Sequence, residues 1–325
     1  MAKIKIAFCG CGGIAQFHLS HLVEFDDVEF VGFYDILPEH AEEKARYAGA
    51  GKVYGGLEQM LDQAKPDALY ICVPPAEHGA IEDAAIARGI PFLVEKPMAL
   101  SMELAERILA KIEAKGLITA VGFQDRYLDI VEKSQEFLAG RQIGLIEGAW
   151  VGGIPGVDWW PKYATSGGQI VEQNIHLFDL LRYLIGEPKS VYCAGGRGIV
   201  RRDNYDVHDY SSATVTFQNG VVATLFTGCY LQGGVPDFPN GLTFHCADAT
   251  VAYRLRSSVS LLQAEGTVQV NRRADQGVTE DRTFVDAVKT GDGSAIRSPY
   301  RDAVQSLRLT LACNESMASG CVISL

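Results

Sequence analysis

The sequence predicts an α/β protein with two domains, and three observations support this. Short apolar strands alternate with helical stretches over about the first 125 residues, which is typical of a doubly wound parallel sheet. A glycine-rich loop follows the first strand directly and opens the first helix. From residue 190 to 270 the pattern is mostly strand, which favours an α+β domain with an open, largely antiparallel sheet and helices on one face.

Local patterns justify the elements of the first domain. Its apolar runs predict strands at Ile4–Cys9, Val28–Tyr34, Ala68–Val73, Phe92–Glu95 and Thr119–Phe123. A helix over 14–25 repeats apolar residues at helical spacing, and a helix over 101–115 begins with Ser101 as its N-cap. The domain boundary is expected at residue 122, so that residues 123–325 form the second domain.

The second domain begins with a helix over 130–139 and a strand over 146–151. Two alternating strands, 212–217 and 221–226, are joined by Asn219-Gly220, which is a strong hairpin signal. Further strands are predicted at Val251–Leu255, Ser258–Leu262 and Thr267–Val270, and closing helices at Asp281–Thr290 and Tyr300–Ser319.

Charge and composition exclude several classes of partner. The 325 residues carry a net charge of −11, which argues against binding to nucleic acid or to an anionic membrane surface. No apolar run approaches the roughly 18 residues of a membrane span. The eight cysteines show neither disulfide nor zinc spacing, so we expect reduced thiols, no metal site and a cytoplasmic protein. The first strand begins so early that a signal peptide is not expected.

The glycine loop matches the G-x-G-x-x-A form of the dinucleotide fingerprint. Its residues are Gly10, Cys11, Gly12, Gly13, Ile14 and Ala15. Asp35 ends the second strand, where a carboxylate bonds the adenosine ribose hydroxyls and repels a 2′-phosphate. Residues 1–122 are therefore predicted to be a Rossmann dinucleotide-binding domain that prefers NAD, with NADP as the other possible cofactor.

The tripeptide Glu95-Lys96-Pro97 ends the fifth strand. In an open α/β sheet, ligands bind beyond the carboxyl ends of the strands, which places Lys96 where a nicotinamide should lie. A lysine there can bond a substrate hydroxyl. The alternative is a surface lysine ahead of a loop proline.

One helix of the second domain, predicted over 168–185, carries titratable residues on one face. At about 100° per residue, four of them fall within one arc: Glu172, His176, Asp179 and Tyr183. The remaining circumference is apolar, so the helix should be buried on most sides. The polar stripe is either a solvated face with a Glu172–His176 pair or one wall of a cleft. Gly167-Gly168 ahead of the helix favours the cleft.

Five segments, in this order, resemble the Gfo/Idh/MocA oxidoreductases: the glycine loop, 72–78, Glu95-Lys96-Pro97, 122–126 and 167–179. The resemblance covers nearly the whole chain. It implies a bound NAD(P), oxidation of a secondary alcohol on a sugar or cyclitol, and a homodimer or homotetramer formed through the C-terminal sheet. Pro74, His78, Glu95 and Lys96 lie in the matching motifs and are expected to line the cofactor site.

By motif position, Lys96 and His176 match the family's lysine and histidine, whereas Glu172 stands where an aspartate is usual. In the expected mechanism, His176 takes the hydroxyl proton and Lys96 bonds the developing oxyanion. Glu172 orients the imidazole or binds a neighbouring hydroxyl, and Asp179 is structural. Secondary candidates for substrate contact are Arg126, Asp158, Trp160, Gln173 and Tyr230.

Two other functions remain open at the level of the sequence. The first is a glycosidase of the same fold, in which bound NAD oxidises the sugar transiently so that elimination follows. The second is a non-catalytic regulator that senses NAD(P) or a sugar. The presence of both Lys96 and His176 argues against the regulator.

Overall fold

A parallel sheet organises the N-terminal part of the chain. The computed structural model describes residues 3–233 and 238–325. Within those residues the sheet has six strands: β1 (Ile4–Cys9), β2 (Val28–Tyr34), β3 (Lys52–Val53), β4 (Ala68–Ile71), β5 (Phe92–Val94) and β6 (Thr119–Val121). Their order is β3-β2-β1-β4-β5-β6, and every neighbouring pair is parallel. The order reverses between β1 and β4, which is the switch point where such sheets bind ligands.

Helices connect these strands, as the alternating pattern predicts. They are α1 (Gly13–Leu22), α2 (Pro38–Ala48), α3 (Leu57–Ala64), α4 (Ala80–Arg88) and α5 (Met102–Lys115). Ser101 caps α5, since its Oγ accepts the Leu104 N–H at 3.2 Å. The apolar residues of β1, β2, β4 and α1 form the core of this sheet.

A second, mixed sheet follows. Within the described residues it has nine strands: β7 (Ile143–Val151), β8 (Pro188–Gly196), β9 (Tyr210–Phe217), β10 (Val222–Gly228), β11 (Gly241–Cys246), β12 (Thr250–Arg254), β13 (Ser258–Gln263), β14 (Gly266–Asn271) and β15 (Ile323–Ser324). Their order is β14-β13-β12-β11-β7-β10-β9-β8-β15. The β7–β10 pair is parallel and the others are antiparallel. Gly220 forms the predicted β9–β10 turn with a φ of 87°.

The remaining helices are α6 (Asp129–Leu138), α7 (Tyr163–Ser166), α8 (Gln169–Glu172), α9 (Ile175–Ile185), α10 (Gln276–Thr290) and α11 (Tyr300–Ser319). The single helix predicted over 168–185 is thus two helices, α8 and α9. The Asn174 N–H bonds the Gln169 carbonyl at 2.9 Å, which is a five-residue step, and α9 starts from Asn174. Because the apolar spacing continues across this step, the sequence pattern does not show it.

The fold class is confirmed: a Rossmann domain is followed by a mixed, mostly antiparallel sheet with helices. Close contacts divide the chain into two compact units, residues 1–124 with 275–304 and residues 125–274 with 305–325. Residues 275–304 therefore pack with the first unit, although the predicted boundary assigns them to the second domain. The reason is hydrophobic: Phe284 and Val285 of α10 are buried in the same apolar cluster as Ile6 and Phe8 of β1.

Candidate active site

The glycine loop lies at the switch point of the parallel sheet. Gly10 has a φ of +83°, and a Cβ there would lie 2.2 Å from the carbonyl oxygen of Cys72, which follows β4. By contrast, a Cβ at Gly12 or Gly13 would meet nothing within 4 Å. Gly12 caps α1 without a side chain, so the first-turn N–H groups face a space open to a phosphate. These features fit a dinucleotide pyrophosphate.

Asp35 lies beside this loop, directly after β2. Its Oδ2 accepts the Cys11 N–H at 2.7 Å, and its Oδ1 accepts the Leu37 N–H at 2.8 Å. Two backbone donors therefore fix the carboxylate against the loop, which is the placement expected of a ribose ligand. Ile36, the next residue, is 83% exposed and brings no positive charge for a 2′-phosphate.

Gly10→Ala should destabilise the protein, whereas Gly12→Ala should leave its stability nearly unchanged. A Cβ at residue 10 combines an unfavourable φ with overlap on a carbonyl, at a cost of about 1–3 kcal/mol. We expect a lower unfolding midpoint for G10A only, and about tenfold weaker NAD binding for both variants. Thermal unfolding and NAD titration measure the two effects, and a wild-type midpoint for G10A would contradict this account of the loop.

Lys96 follows β5 at the carboxyl edge of the same sheet. Its backbone N–H donates to Oε2 of Glu95 at 3.1 Å, and its peptide bond to Pro97 is cis. The Lys96 side chain is half-buried, whereas Glu95 is only 3% exposed. A Cβ at Gly122 would lie 2.3 Å from Glu95 Oε1, so the glycine backbone packs directly against the carboxylate.

A buried chain of carboxylates and imidazoles begins at Glu95. Its Oε1 lies 2.9 Å from His18 Nε2, and His18 Nδ1 lies 2.7 Å from Oδ1 of Asp281 on α10. Asp281 Oδ2 lies 2.9 Å from His21 Nδ1. Both histidines are buried and paired with carboxylates. No spacing signal reveals Asp281, because it lies 263 positions from His18.

The network should make stability depend on pH. Burial by itself lowers the pKa of His18, but the charges and hydrogen bonds of Asp281 and Glu95 raise it well above its ordinary 6.5. A raised folded-state pKa gives stability that is complete below about pH 6.5 and decreases as pH rises towards the folded value, by up to about 1.4 kcal/mol per unit.

We therefore expect the unfolding free energy of the wild type to fall over an interval of pH that begins at about 6.5. His18→Gln lacks the titrating group, so its unfolding free energy should fall less over the same interval. Denaturant titrations at several pH values measure both slopes. Equal slopes in the two proteins would show that His18 does not carry the pH dependence.

His78 is held by a second buried pair. Its Nδ1 lies 2.6 Å from Glu82 Oε1, and Glu82 Oε2 accepts the Gly79 N–H at 2.5 Å. Pro74 precedes the 3-10 turn Pro75–Glu77, which leads into this pair. The segment after β4 is therefore fixed by side-chain bonds at the switch point of the sheet.

In the second unit, Glu172 is the last residue of α8. Its Oε2 accepts the indole N–H of Trp160 at 2.7 Å, and the Trp160 side chain is fully buried. Trp160 packs with Val207 and Cys229 in a small apolar cluster. Trp160, which the sequence predicts to contact substrate, therefore holds Glu172 in place through this hydrogen bond.

His176 lies in the first turn of α9 and is 4% exposed. Its ring stacks on Trp150 of β7, with centroids 6.0 Å apart and planes at 29°. Arg256 covers the Trp150 ring at 5.5 Å and pairs with Asp125 at 2.6 Å. The imidazole therefore packs against an aromatic ring on the strand.

Arg126 and Asp179 form a buried ion pair. Nε and Nη2 of Arg126 donate to the two carboxylate oxygens of Asp179 at 2.8 and 2.6 Å. The Ser306 hydroxyl donates to Asp179 Oδ1 at 2.6 Å, and the Arg126 guanidinium lies 4.9 Å from the Tyr183 ring centre. This geometry supports a structural role for Asp179. The guanidinium of Arg126 points at the Asp179 carboxylate. Contact of Arg126 with substrate stays a prediction.

Three further candidates for substrate contact are Asp158, Gln173 and Tyr230. Asp158 is exposed in the loop before α7. The side-chain oxygen of half-buried Gln173 accepts from Gln169 at 3.2 Å. Tyr230, also half-buried, meets Tyr210 edge-to-face at 6.3 Å. Each position stays a predicted substrate contact.

Comparison with known proteins identifies the chain. Residues 4–123 match the model described as "Oxidoreductase family, NAD-binding Rossmann fold", and residues 142–252 match the GFO/IDH/MocA C-terminal domain. The chain belongs to the Gfo/Idh/MocA family. As a family member it is an NAD-binding oxidoreductase, which confirms the predicted family and, at the level of the family, the predicted NAD(P)-dependent dehydrogenase.

Three of the similar proteins match it over almost their whole length. The uncharacterised oxidoreductase YrbE of Bacillus subtilis is 23% identical over 338 residues, covering 99% of this chain and 97% of that protein. Myo-inositol 2-dehydrogenase of Thermotoga maritima is 22% identical over 329 residues, covering 97% and 96%. The WlbA dehydrogenase of Bordetella pertussis, solved with NADH and UDP-GlcNAcA, has a TM-score of 0.84 at 22% identity and 99% coverage of both chains.

Two kinds of feature are absent from the described part of the molecule. No helix in residues 3–233 or 238–325 is both long and apolar enough to cross a membrane. In the same ranges, no three His, Cys, Asp or Glu side chains are grouped so that they could hold a metal ion.

Proposed function

We propose that this Gfo/Idh/MocA protein oxidises a secondary ring hydroxyl of a sugar, sugar derivative or cyclitol. The observation that supports this most directly is that Lys96 follows β5 at the sheet edge where the glycine loop lies. The glycine loop, which fits a dinucleotide, and the cationic Lys96 therefore both follow the carboxyl ends of strands of the same sheet. The names of the relatives, inositol and sugar dehydrogenases, support the substrate class.

Two side chains act on the reacting hydroxyl. His176 takes the proton of the reacting hydroxyl as general base. Lys96 donates a hydrogen bond to the oxygen as negative charge develops on it, which stabilises the transition state. Bound NAD supplies the acceptor for the hydride that leaves the same carbon. The alcohol loses one proton and one hydride and becomes a ketone.

Glu172 is proposed to bind the hydroxyl next to the reacting one. The indole N–H of the fully buried Trp160 donates to Oε2 of Glu172. This hydrogen bond fixes the direction of the glutamate side chain, which is one methylene longer than that of an aspartate. Fixed polar contacts of this kind discriminate strongly between substrates, because a missing or inverted hydroxyl leaves the carboxylate without its substrate partner. The glutamate therefore supports a substrate preference different from that of relatives with an aspartate.

We further propose that NAD is preferred over NADP. The support is Asp35, whose carboxylate is fixed beside the loop by the N–H groups of Cys11 and Leu37. Asp35→Ser removes the charge that repels a 2′-phosphate. The ratio of NADP to NAD affinity should then rise by about tenfold or more. An unchanged ratio in titrations of both cofactors would remove Asp35 from cofactor selection.

Assembly into a homodimer or homotetramer through the C-terminal sheet also remains a proposal. One face of that sheet exposes Leu145, Tyr192 and Phe226, which are 51%, 45% and 45% exposed. The strand register places these residues on the same face. Light scattering with Phe226→Lys tests it: a lower mass than the wild type supports the sheet contact, and an unchanged mass contradicts it.

The proposed reaction is tested by incubating the protein with NAD and a panel of inositols, free sugars and glycosides. Continuous NADH formation supports the dehydrogenase. Release of free sugar from a glycoside without net NADH identifies the NAD-dependent glycosidase instead. Tight NAD binding without any turnover identifies a regulator and overturns the proposal.

A further inference from the structure

His18 joins two elements that are remote in sequence. It lies on α1, one turn after the glycine loop, and its ring bridges Glu95 and Asp281 at 2.9 and 2.7 Å. Both ring nitrogens face carboxylates, so the protonated imidazole donates to both. All three side chains are at most 4% exposed.

Glu95 depends on this partner. A buried carboxylate needs a positive charge or several donors, and His18 supplies the charge while the Lys96 N–H supplies a backbone donor. The carboxylate also packs against the Gly122 backbone, where a Cβ would lie 2.3 Å from Oε1. The same carboxylate that His18 holds therefore also holds the backbone of Lys96.

We infer that His18 is a positioning residue, which fixes the Lys96 backbone through the carboxylate of Glu95. The inference rests on the catalytic role proposed for Lys96. His18 itself touches no reacting atom in this scheme. The competing account gives His18 only a structural role, in which its bond to Asp281 docks α10 against α1.

Two substitutions separate these accounts, because each keeps one half of the bridge. The amide nitrogen of glutamine takes the place of Nε2, so His18→Gln keeps the bond to Glu95 and loses the bond to Asp281. The amide nitrogen of asparagine takes the place of Nδ1, so His18→Asn keeps Asp281 and loses Glu95.

The first measurement is amide hydrogen exchange at Lys96 in the purified protein. Positioning predicts about tenfold or greater loss of protection in H18N, and nearly wild-type protection in H18Q even if its unfolding midpoint falls. A purely structural role predicts the reverse order, with H18Q the more disturbed variant. Equal protection of Lys96 in H18N and wild type overturns the inference whatever the substrate.

The second measurement is turnover of the most active alcohol from the panel. H18N should lose about tenfold to a hundredfold in kcat with little change in NAD affinity, whereas H18Q stays near the wild type. His21→Gln is the matched control, since it removes the Nδ1 bond of His21 to Asp281 and His21 bonds Asp281 rather than Glu95; its kcat should be unchanged. A kcat loss in H18Q but not in H18N assigns His18 to docking of α10.

The catalytic role of Lys96 and the positioning role of His18 can be disproved separately. If Lys96→Met retains activity, the catalytic role of Lys96 is wrong, although Lys96 protection in H18N can still fall. If Lys96→Met is inactive and H18N is fully active with a protected Lys96 amide, only the positioning role of His18 is wrong.

Discussion

Lys96→Met is expected to lower kcat/KM by about a hundredfold to a thousandfold and to leave NAD affinity little changed. Methionine keeps most of the side-chain length and volume of lysine but removes the donor and its charge. Loss of one preorganised donor to a developing oxyanion has an effect of about this size. The backbone bond between Lys96 and Glu95 is retained, so the unfolding midpoint should stay close to that of the wild type.

Lys115→Met is a suitable control for this substitution. Lys115 lies at the end of α5, where its Nζ donates to the Ala87 carbonyl at 3.0 Å and its side chain is exposed. Turnover of K115M should equal that of the wild type. If K96M and K115M have the same kcat/KM, Lys96 does not take part in the chemistry.

His176→Asn is expected to lower kcat by about a hundredfold to ten-thousandfold, because it removes the general base. Asparagine is polar and smaller than histidine, so it enters the buried position beside Trp150 without a new charge. NAD affinity should not change, since the glycine loop belongs to the other unit of the chain. Steady-state rates and NAD titration give the two quantities.

His245→Asn controls for the loss of a histidine as such. His245 lies on β11, where Nε2 is 3.4 Å from Glu147, and both side chains are exposed. H245N should turn over at the wild-type rate. Partial recovery of H176N by added imidazole would support the base assignment, and a wild-type rate in H176N would exclude it.

Much of the fold could be predicted from local patterns. Ile4–Cys9 and Val28–Tyr34 are strands with the predicted bounds, because mostly apolar runs between turn signals specify buried parallel strands. The Ser101 cap and the turn at Gly220 follow from side-chain and backbone chemistry within a few residues. The break between α8 and α9 could not be predicted, since apolar side chains keep their spacing across it.

The bonding around the candidate site residues could not be predicted from the sequence. Lys96, His176 and Glu172 were found from motif positions, and their roles stay predictions. The pairing of Trp160 with Glu172 was not foreseen, because an indole twelve positions away has no fixed relation to a short helix. Arg126 likewise has its partner 53 positions away, on α9.

The sequence by itself determined the two-domain fold class, the dinucleotide loop and the family, because each depends on short-range spacing of glycines, apolar residues and motifs. Only the tertiary structure decided which buried charges pair, as in His18 with Glu95 and Asp281. A charged group buried in a low-dielectric interior is costly unless it is paired. Which groups pair depends on which elements the fold brings together. The bridge at His18 therefore exists only once α10 has packed against α1.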